Sequence, residues 1–393
     1  MPFEVRQGTR PHRAGVIVAW LVAVAAIAYV PLADDIGWAP GSIDKALRIG
    51  QLNQVIAYAV AVLGLNLVIG WSGQLSLGQS AFIGLGAYTT VILVADHDWS
   101  FFATLPVCAA LCFVVGLILG VPASRISAQY LAIATLALAY VFPSLVLRYD
   151  WLTGGPNGKG PARGQVELVP PSWLPFADAG RLAEPLWVYC ILVVMATALF
   201  LLARNFIASR PGRALLASRD NAAGASTSGV DVTIYKAMAF AMSAVYGGLA
   251  GSMLMMNRPF ASEAQFGTEV GIFLVVGLVI GGVGTISGAI PGAFVYLFVP
   301  YFVSEWTIDQ SGMPPGVRQV AGLVFDWLGP AGGGISGAVF GLTLLVLVFV
   351  LPGGFIAGMR TLRARIVTII PHPSWLADVR RPPPTDDGQG STP

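Results

Sequence analysis

The chain has 393 residues, of which 22 are Lys or Arg and 20 are Asp or Glu, and 55% of its residues are hydrophobic. Charged residues make up 11% of the sequence, against about 25% in a typical soluble domain. This composition excludes a soluble enzyme, a nucleic-acid-binding protein and a disordered chain. The net charge of +2 is too small to indicate a partner, so the positions of the charges are more informative than their sum.

Eight stretches of at least 19 residues contain no Asp, Glu, Lys or Arg, and together they cover more than half of the chain. They are 14–33, 49–95, 99–124, 126–147, 185–203, 237–257, 270–304 and 327–359. A transmembrane helix needs roughly 20 mostly apolar residues, so six of these runs each predict one span. The other two runs contain Gly-rich clusters, at 70–76 and 281–288, and each predicts two segments. The predicted fold class is an all-α integral membrane protein with about ten transmembrane or partly re-entrant helices.

The charges between the runs predict which side of the membrane each loop occupies, because Lys and Arg collect in the cytoplasm. Ten crossings place 14 of the 22 Lys and Arg residues inside and keep both Arg-rich termini cytoplasmic. The predicted organisation has a cytoplasmic N-terminal segment at 1–13, a polytopic domain at 14–359 and a cytoplasmic, partly disordered tail at 360–393. Within the domain, 148–184 is the long exterior loop and 204–236 is the long cytoplasmic loop.

The polar side chains within the predicted spans are neutral, since no ionisable group lies in a span core. Such side chains either line a path for a polar solute or hydrogen-bond neighbouring helices to each other, and composition does not separate the two. They are densest at 74–80. The candidate pathway residues are Asn66, Gln74, Ser76, Gln79, Ser80, Gln129, Tyr130, Thr135 and Ser287.

The two Gly-rich clusters resemble each other. Four of eight positions are identical between 69–76 and 280–287, and a fifth pairs Leu with Ile. Paired Gly-interrupted segments in the two halves of a transporter indicate broken helices around the pathway. The predicted helix breaks are Gly70, Gly73, Gly281 and Gly284.

The chain offers no energy source of its own. Segment 154–160 approaches a phosphate-binding loop, but three residues rather than four separate its glycines, and Gly160 stands where Ser or Thr should follow Lys159. The three cysteines and three histidines are scattered, so no metal site and no bound cofactor are predicted. In the cytoplasmic loop, a short helix is predicted after Pro211 and Gly212, and it either contacts another protein or forms an ordinary basic surface.

Ten short motifs follow one another in a specific order. They are LNLVIG at 65–70, SGQLSLGQSAF at 72–82, GLGAY at 84–88, YLAIATLA at 130–137, LTGGPNG at 152–158, GRAL at 212–215, GVDV at 229–232, GGLAG at 247–251, GGVGTISG at 281–288 and LPGG at 351–354. In this order they resemble the branched-chain amino-acid permease family of ABC importers, in particular the longer of its two subunit types. The similarity covers roughly residues 50–360.

The resemblance implies a multi-pass permease in the lipid bilayer of a bacterial plasma membrane. It also implies a second, related permease subunit, two cytoplasmic ATPases that use ATP and Mg, and an extracytoplasmic binding protein that delivers the solute. Region 213–229 would dock on an ATPase, with Arg213, Leu216, Asp220 and Gly229 as coupling residues. The chain departs from the family pattern at Ala222 and Gly224, where relatives often have Glu and Ala.

Branched-chain amino acids are the solutes that the resemblance implies. Two alternatives stay open: a permease for urea or short-chain amides, which shares most of these motifs, and a stand-alone channel or facilitator built from neutral polar spans. A membrane-embedded enzyme is disfavoured, because no His, Cys or acidic cluster lies at membrane depth. We therefore expect a transporter subunit whose ATP hydrolysis takes place in separate partner chains.

Overall fold

The computed structural model describes residues 3–6, 45–126, 128–162, 168–172, 180–308, 341, 354–356, 358 and 367–370. Two predicted spans, 14–33 and 327–359, lie outside the described residues except for a few positions of the second. Most of the predicted tail at 360–393 also lies outside them.

The described residues form eleven α-helices and two short strands. In chain order they are β1 (Phe3–Arg6), α1 (Lys45–Asn66), α2 (Gln79–His97), α3 (Phe101–Ala123), α4 (Ala128–Arg148), α5 (Asp150–Thr153), α6 (Ala183–Ala208), α7 (Arg210–Asp220), α8 (Ala222–Thr227), α9 (Val232–Asn257), α10 (Thr268–Gly281), α11 (Ala289–Ile308) and β2 (Val367–Ile370). A π-helical turn extends α1 over Leu67–Trp71, and 3-10 turns lie at Gly155–Asn157, Gly180–Leu182, Glu263–Phe266 and Ile286–Gly288.

Seven helical segments of the described residues are long and apolar enough to cross a membrane, and each matches a predicted span. Run 49–95 is divided as predicted, because the helix that begins at Lys45 ends at Trp71 and the next begins at Gln79. Run 270–304 is divided in the same way between α10 and α11. We call residues 72–78 the first break and residues 282–285 the second break. The chain is a helical multi-pass membrane protein, while the total of about ten segments and the side of each terminus stay predictions.

Small residues bring α9 close to α2 and α3. A methyl group built on Gly116 of α3 would lie 2.5 Å from Cβ of Ala244, and one built on Gly86 of α2 would lie 2.0 Å from the carbonyl oxygen of Gly248. Cys112 Sγ lies 2.3 Å from the place that a methyl group on Gly248 would take, so this cysteine packs between helices. Close backbone approach of this kind is how membrane helices associate without a hydrophobic driving force.

Three loops that the charge pattern assigns to the same side of the membrane contact one another, while the side itself stays a prediction. At the end of the bundle predicted to be exterior, Lys159 Nζ forms an ion pair with Asp96 at 2.6 Å, and the Lys159 backbone pairs with that of Ala261. Asn53 Nδ2 donates to the carbonyl oxygen of Pro185 at 3.3 Å on the same side. Residues that the charge pattern assigns to the exterior therefore contact one another. Lys159, the lysine of the segment that approaches a phosphate-binding loop, is therefore paired with the Asp96 carboxylate.

Besides the helices, the described residues include one short strand pair, which leaves the predicted all-α fold class unchanged. Phe3 pairs with Val367, and the register continues to Arg6 opposite Ile370 in a parallel arrangement. The physical reason is the local sequence of β2, Val-Thr-Ile-Ile, since β-branched residues favour extended backbone.

Candidate solute pathway and cytoplasmic coupling surface

The first break returns into the bundle instead of turning at its surface. Gln79, the first residue of α2, donates from Nε2 to the carbonyl oxygen of Ala61 at 3.2 Å. Ala61 lies ten residues before Trp71, which is about 15 Å along a helix at 1.5 Å per residue. Seven residues can span up to about 25 Å, which is enough to cover that distance. Non-helical backbone therefore lies at membrane depth, where it is tolerated only against protein or water.

Two other neighbours place the end of the first break at a similar depth. The Leu77 N–H donates to Thr135 Oγ1 at 2.9 Å, seven residues into α4. On α10, a methyl group built on Gly271 would lie 2.4 Å from the Leu77 carbonyl oxygen. Glycine at this position lets α10 approach the chain closely, so the end of the first break is enclosed by the surrounding helices, while Gly73 and Leu75 at its start are exposed.

Gln79 joins three helices at the start of α2. Besides its bond to α1, Nε2 lies 3.3 Å from the carbonyl oxygen of Ser243 on α9, and Ser243 Oγ donates to Gln79 Oε1 at 3.1 Å. The side chain is fully buried. Since both amide atoms are bonded, Gln79 fixes the N-terminus of α2 between α1 and α9.

Three buried side-chain oxygens around the first break have no hydrogen-bond partner among the described residues: Ser72 Oγ, Gln74 Oε1 and Ser80 Oγ. The residues that the structure describes contain six such buried, unpaired atoms, and these three are half of them. An unpaired buried polar group costs about 1–3 kcal/mol, so this clustering is unfavourable for a region that only packs. The same atoms provide neutral donors and acceptors that a polar solute or water can bond.

Six of the nine predicted pathway residues are buried; five lie in or next to the first break, and the sixth, Asn66, lies at the end of α1 and bonds the second break. They are Asn66, Gln74, Ser76, Gln79, Ser80 and Thr135. Gln129 and Tyr130 lie instead on the exposed face of α4, with Tyr130 69% exposed. Tyr130 precedes Thr135 by five residues, or about 140° around the helix axis, so the two cannot share a face. Ser287 is also exposed, in the 3-10 turn after the second break.

The four predicted break glycines have two different roles. Gly73 and Gly284, which align in the repeat, have φ values of 69° and 74° and turn the chain where other residues would be strained. Gly70 and Gly281 remain helical, within the π-helical turn and at the last position of α10. The prediction that all four interrupt a helix is corrected in this respect. Gly70 and Gly281 are sites of close approach, where a Cβ atom would not fit.

Asn66 links the end of α1 to the second break. Its Oδ1 accepts from the Gly284 N–H at 2.9 Å, and its Nδ2 donates to the carbonyl oxygen of Thr285 at 2.8 Å. A methyl group built on Gly70 would lie 2.2 Å from Asn66 Oδ1 and 2.7 Å from the Gly284 nitrogen. Although Asn66 and Gly284 are 218 positions apart, they form one junction, which we call the break junction (Asn66, Gly70, Gly284 and Thr285).

The cytoplasmic loop folds into the predicted short helix, α7. Pro211 lies in its first turn, where a missing N–H costs nothing. Asn221 follows its last residue and begins α8, because Asn221 Oδ1 accepts from the Gly224 N–H at 2.9 Å. Leu215 and Ser218 are buried against the bundle. The helix therefore lies with one face on the membrane-spanning helices.

The predicted coupling residues lie mostly on the other face. Arg213 and Asp220 are exposed on α7, whereas Leu216 is half-buried and packs against the main core. Gly229 is exposed, has a φ of 82°, and has no atom within 4 Å of a methyl group built on it. Arg213, Asp220 and Gly229 are thus open to a partner, but any substitution at Gly229 also strains the backbone.

Arg219 is a residue of this site that the sequence analysis did not single out. Its Nη1 donates to the carbonyl oxygen of Gly70, and its Cγ lies 3.0 Å from the place of a methyl group on Gly73. A helix that ends near Gly73 leaves its last carbonyls without intrahelical donors, and a basic loop was predicted on the same side. The unpaired carbonyls at the helix end and the basic loop together are the sequence signal that could have indicated Arg219.

Interrupted helices, neutral buried polar groups and a cytoplasmic helix against the interruption define a multi-pass membrane protein of the transport class. The family described as "Branched-chain amino acid transport system / permease component" matches residues 47–347, a range that includes both breaks and α7. The chain belongs to this permease family, as the motifs predicted.

Two relatives match over a shorter stretch. The high-affinity branched-chain amino acid transport system permease protein LivM of Salmonella typhimurium is 29% identical over 258 residues, which are 62% of this chain and 59% of the relative. The protein of the same name from Escherichia coli is 29% identical over 241 residues, which are 58% and 57% of the two chains. The chain thus spans less than two thirds of the length of these curated relatives. No solved structure matches the chain.

Proposed function

We propose that the chain is the permease subunit of an ATP-driven ABC importer that carries branched-chain amino acids across a bacterial plasma membrane. It pairs with a second, related permease subunit. Two cytoplasmic ATPases supply the energy with ATP and Mg, and an extracytoplasmic binding protein delivers the solute. Membership of the permease family and the transport system to which the two relatives belong support this assignment.

The observation that carries the proposal is the two-sided arrangement of α7. One face is buried on the bundle and reaches the break junction through Arg219, while the other exposes Arg213 and Asp220. A helix arranged in this way is suited to bind an ATPase, because a movement of the ATPase would be transmitted through it to the interrupted helices. The charge-free spans also call for an energy source outside the membrane.

The chemistry of the first break suits a solute without net charge. Gln74 Oε1 is a free acceptor for an ammonium group, and Ser80 Oγ is a free donor for a carboxylate, within the described residues. The zwitterion of leucine, isoleucine or valine needs both kinds of partner. Urea and short-chain amides are also uncharged, so the test has to separate these solutes.

The complete complex, reconstituted in proteoliposomes with its binding protein, tests the proposal by uptake of labelled leucine. We expect uptake only with ATP and Mg on the cytoplasmic face, and competition by isoleucine and valine but not by urea or acetamide. A lack of leucine uptake together with ATP-dependent uptake of labelled urea or acetamide would favour the amide permease. Undiminished uptake by the permease subunits without any ATPase would show a stand-alone facilitator and contradict the proposal.

A further inference from the structure

Arg219 forms the contact between the cytoplasmic helix α7 and the broken helix α1. Its guanidinium donates through Nη1 to the carbonyl oxygen of Gly70, a residue 149 positions earlier in the chain. Its aliphatic stem covers Gly73, the residue that turns the chain at the first break. Ser218 and Leu215 next to it are buried, so α7 holds the arginine from a fixed base.

The carbonyl that Arg219 bonds belongs to the last turn before the first break. Carbonyl groups in the last turn of a helix lack intrahelical donors, and a basic side chain near the helix end commonly supplies one. The nearby Val68 carbonyl accepts from the N–H of Gln74, a residue of the first break, at 3.1 Å. The donor for Gly70 comes from a separate helix, so the bond depends on where α7 lies.

The same arginine also lies close to the second break. A methyl group built on Gly284 would lie 3.8 Å from Arg219 Nη1 and 3.7 Å from the Gly70 carbonyl oxygen. Asn66 fastens Gly284 and Thr285 to the turn that carries Gly70. A displacement of α7 by a few ångströms must therefore either break the arginine bond or pull on both breaks together.

We propose that Arg219 is the positioning residue that couples α7 to the break junction. While α7 stays packed on the bundle, Arg219 holds the π-helical turn and keeps the first break in the conformation described above. When α7 moves, the bond to Gly70 is lost and the first break is released. The geometry stands on its own, but the source of the movement rests on the proposed function, in which an ATPase displaces α7.

Simultaneous measurement of ATP hydrolysis and leucine uptake in the reconstituted complex tests this role. Arg219→Ala should raise the ATP consumed per leucine imported roughly tenfold, the factor expected from losing a hydrogen bond to a charged group. Arg219→Lys keeps a cationic donor and should restore most of the wild-type ratio. Arg204→Ala removes an exposed arginine from the end of α6, outside α7, and should leave the ratio unchanged. A wild-type ratio in Arg219→Ala would overturn the proposal.

Amide hydrogen exchange of the detergent-purified complex, without ATP or solute, gives a readout that does not depend on transport. Arg219→Ala should speed exchange roughly tenfold at 67–76 and at 282–285, and Arg204→Ala should change neither segment. Unchanged exchange at both segments in Arg219→Ala would overturn the proposal, whatever the transport result. If wild-type uptake proves independent of ATP, the proposed function fails, and the exchange result still decides whether Arg219 holds the breaks.

Discussion

The first and second breaks start alike and continue differently. In each, a helix reaches a Gly-rich cluster, and the aligned residues Gly73 and Gly284 turn the chain with φ values of 69° and 74°. After Gly73 the chain runs back into the bundle without regular structure until Gln79. After Gly284 it passes through one 3-10 turn and enters α11 at once.

The difference lies in what each cluster packs against. A methyl group on Gly281 would lie 2.0 Å from the carbonyl oxygen of Gly288, and one on Gly277 would lie 2.7 Å from that of Gly292, so α10 and α11 form a closely packed hairpin. The first break has no such partner in the next helix, and its end is enclosed by other helices. The two copies of the repeat therefore have different roles. The second break is part of a closely packed scaffold, and the first break is a non-helical segment with unpaired polar groups. The following predictions test this division of roles.

The largest effect is expected from Gly281→Val, which acts on the scaffold. Its side chain would collide with Gly288, and the α10–α11 hairpin would have to separate. Overpacking costs about 1–3 kcal/mol and more where backbone is the obstacle, so we expect a loss of roughly 3 kcal/mol and a poor yield of assembled complex. Thermal melting of the purified complex measures it. Gly267→Ala is the matched control, because its φ is −66° and the nearest atom lies 4.0 Å away; equal melting of the two variants would contradict a tight hairpin.

Asn66→Leu acts on the bond between the two breaks. It leaves the Gly284 N–H unpaired and removes one of the two donors to the Thr285 carbonyl, which keeps its bond from the Gly288 N–H, and we expect a loss of about 2 kcal/mol, with leucine uptake reduced roughly tenfold. Thr89→Val is the control, since within the part of the chain that the structure describes the Thr89 hydroxyl bonds only the Leu85 carbonyl of its own helix. The junction would lose its assigned role if uptake per assembled complex stayed at the wild-type level.

Ser243→Ala acts on the first break alone. It removes the hydroxyl that donates to Gln79 Oε1, so the N-terminus of α2 is held less firmly. A loss of about 1 kcal/mol is expected, together with faster amide exchange at 72–80 but not at 282–285. Equal acceleration at both breaks would mean that they do not behave as separate regions.

Ser80→Ala should have the smallest effect on stability and still reduce transport. The Ser80 hydroxyl is buried and has no partner within the described residues, so its removal should change the melting temperature little or raise it slightly. Uptake should fall severalfold if the hydroxyl bonds the solute. Thr197→Ala, which removes an exposed hydroxyl from α6, is the control for both measurements. A Ser80→Ala variant with normal uptake would leave this residue outside the pathway.

The sequence predicted the division of both long runs because the physical limits are simple. A helix of 47 residues is too long for one crossing, and glycine marks where the chain can turn. The buried cluster at 74–80 was also predicted, since four polar side chains within seven residues stand out in an apolar span. The positive φ values at Gly73 and Gly284 agree with the internal repeat.

Long-range contacts were beyond the reach of sequence patterns. Nothing in the period of α1 indicates that Asn66 bonds a turn 218 positions away, or that Arg219 rather than a neighbouring arginine reaches Gly70. The orientation of α4 was missed for a similar reason. An apolar helix without a clear polar face does not reveal whether Tyr130 or Thr135 points inward.

Cysteine labelling tests most directly whether the first break is the solute pathway and the second the scaffold. Ser76→Cys and Val283→Cys are made one at a time in a chain whose Cys108, Cys112 and Cys190 are replaced by alanine, and the full complex is treated with a small hydrophilic thiol reagent during ATP turnover. We predict that the cysteine at position 76 reacts during turnover and is protected by leucine, while the one at 283 reacts at a rate that leucine does not change. A cysteine at position 76 that stays unreactive throughout turnover would contradict the account.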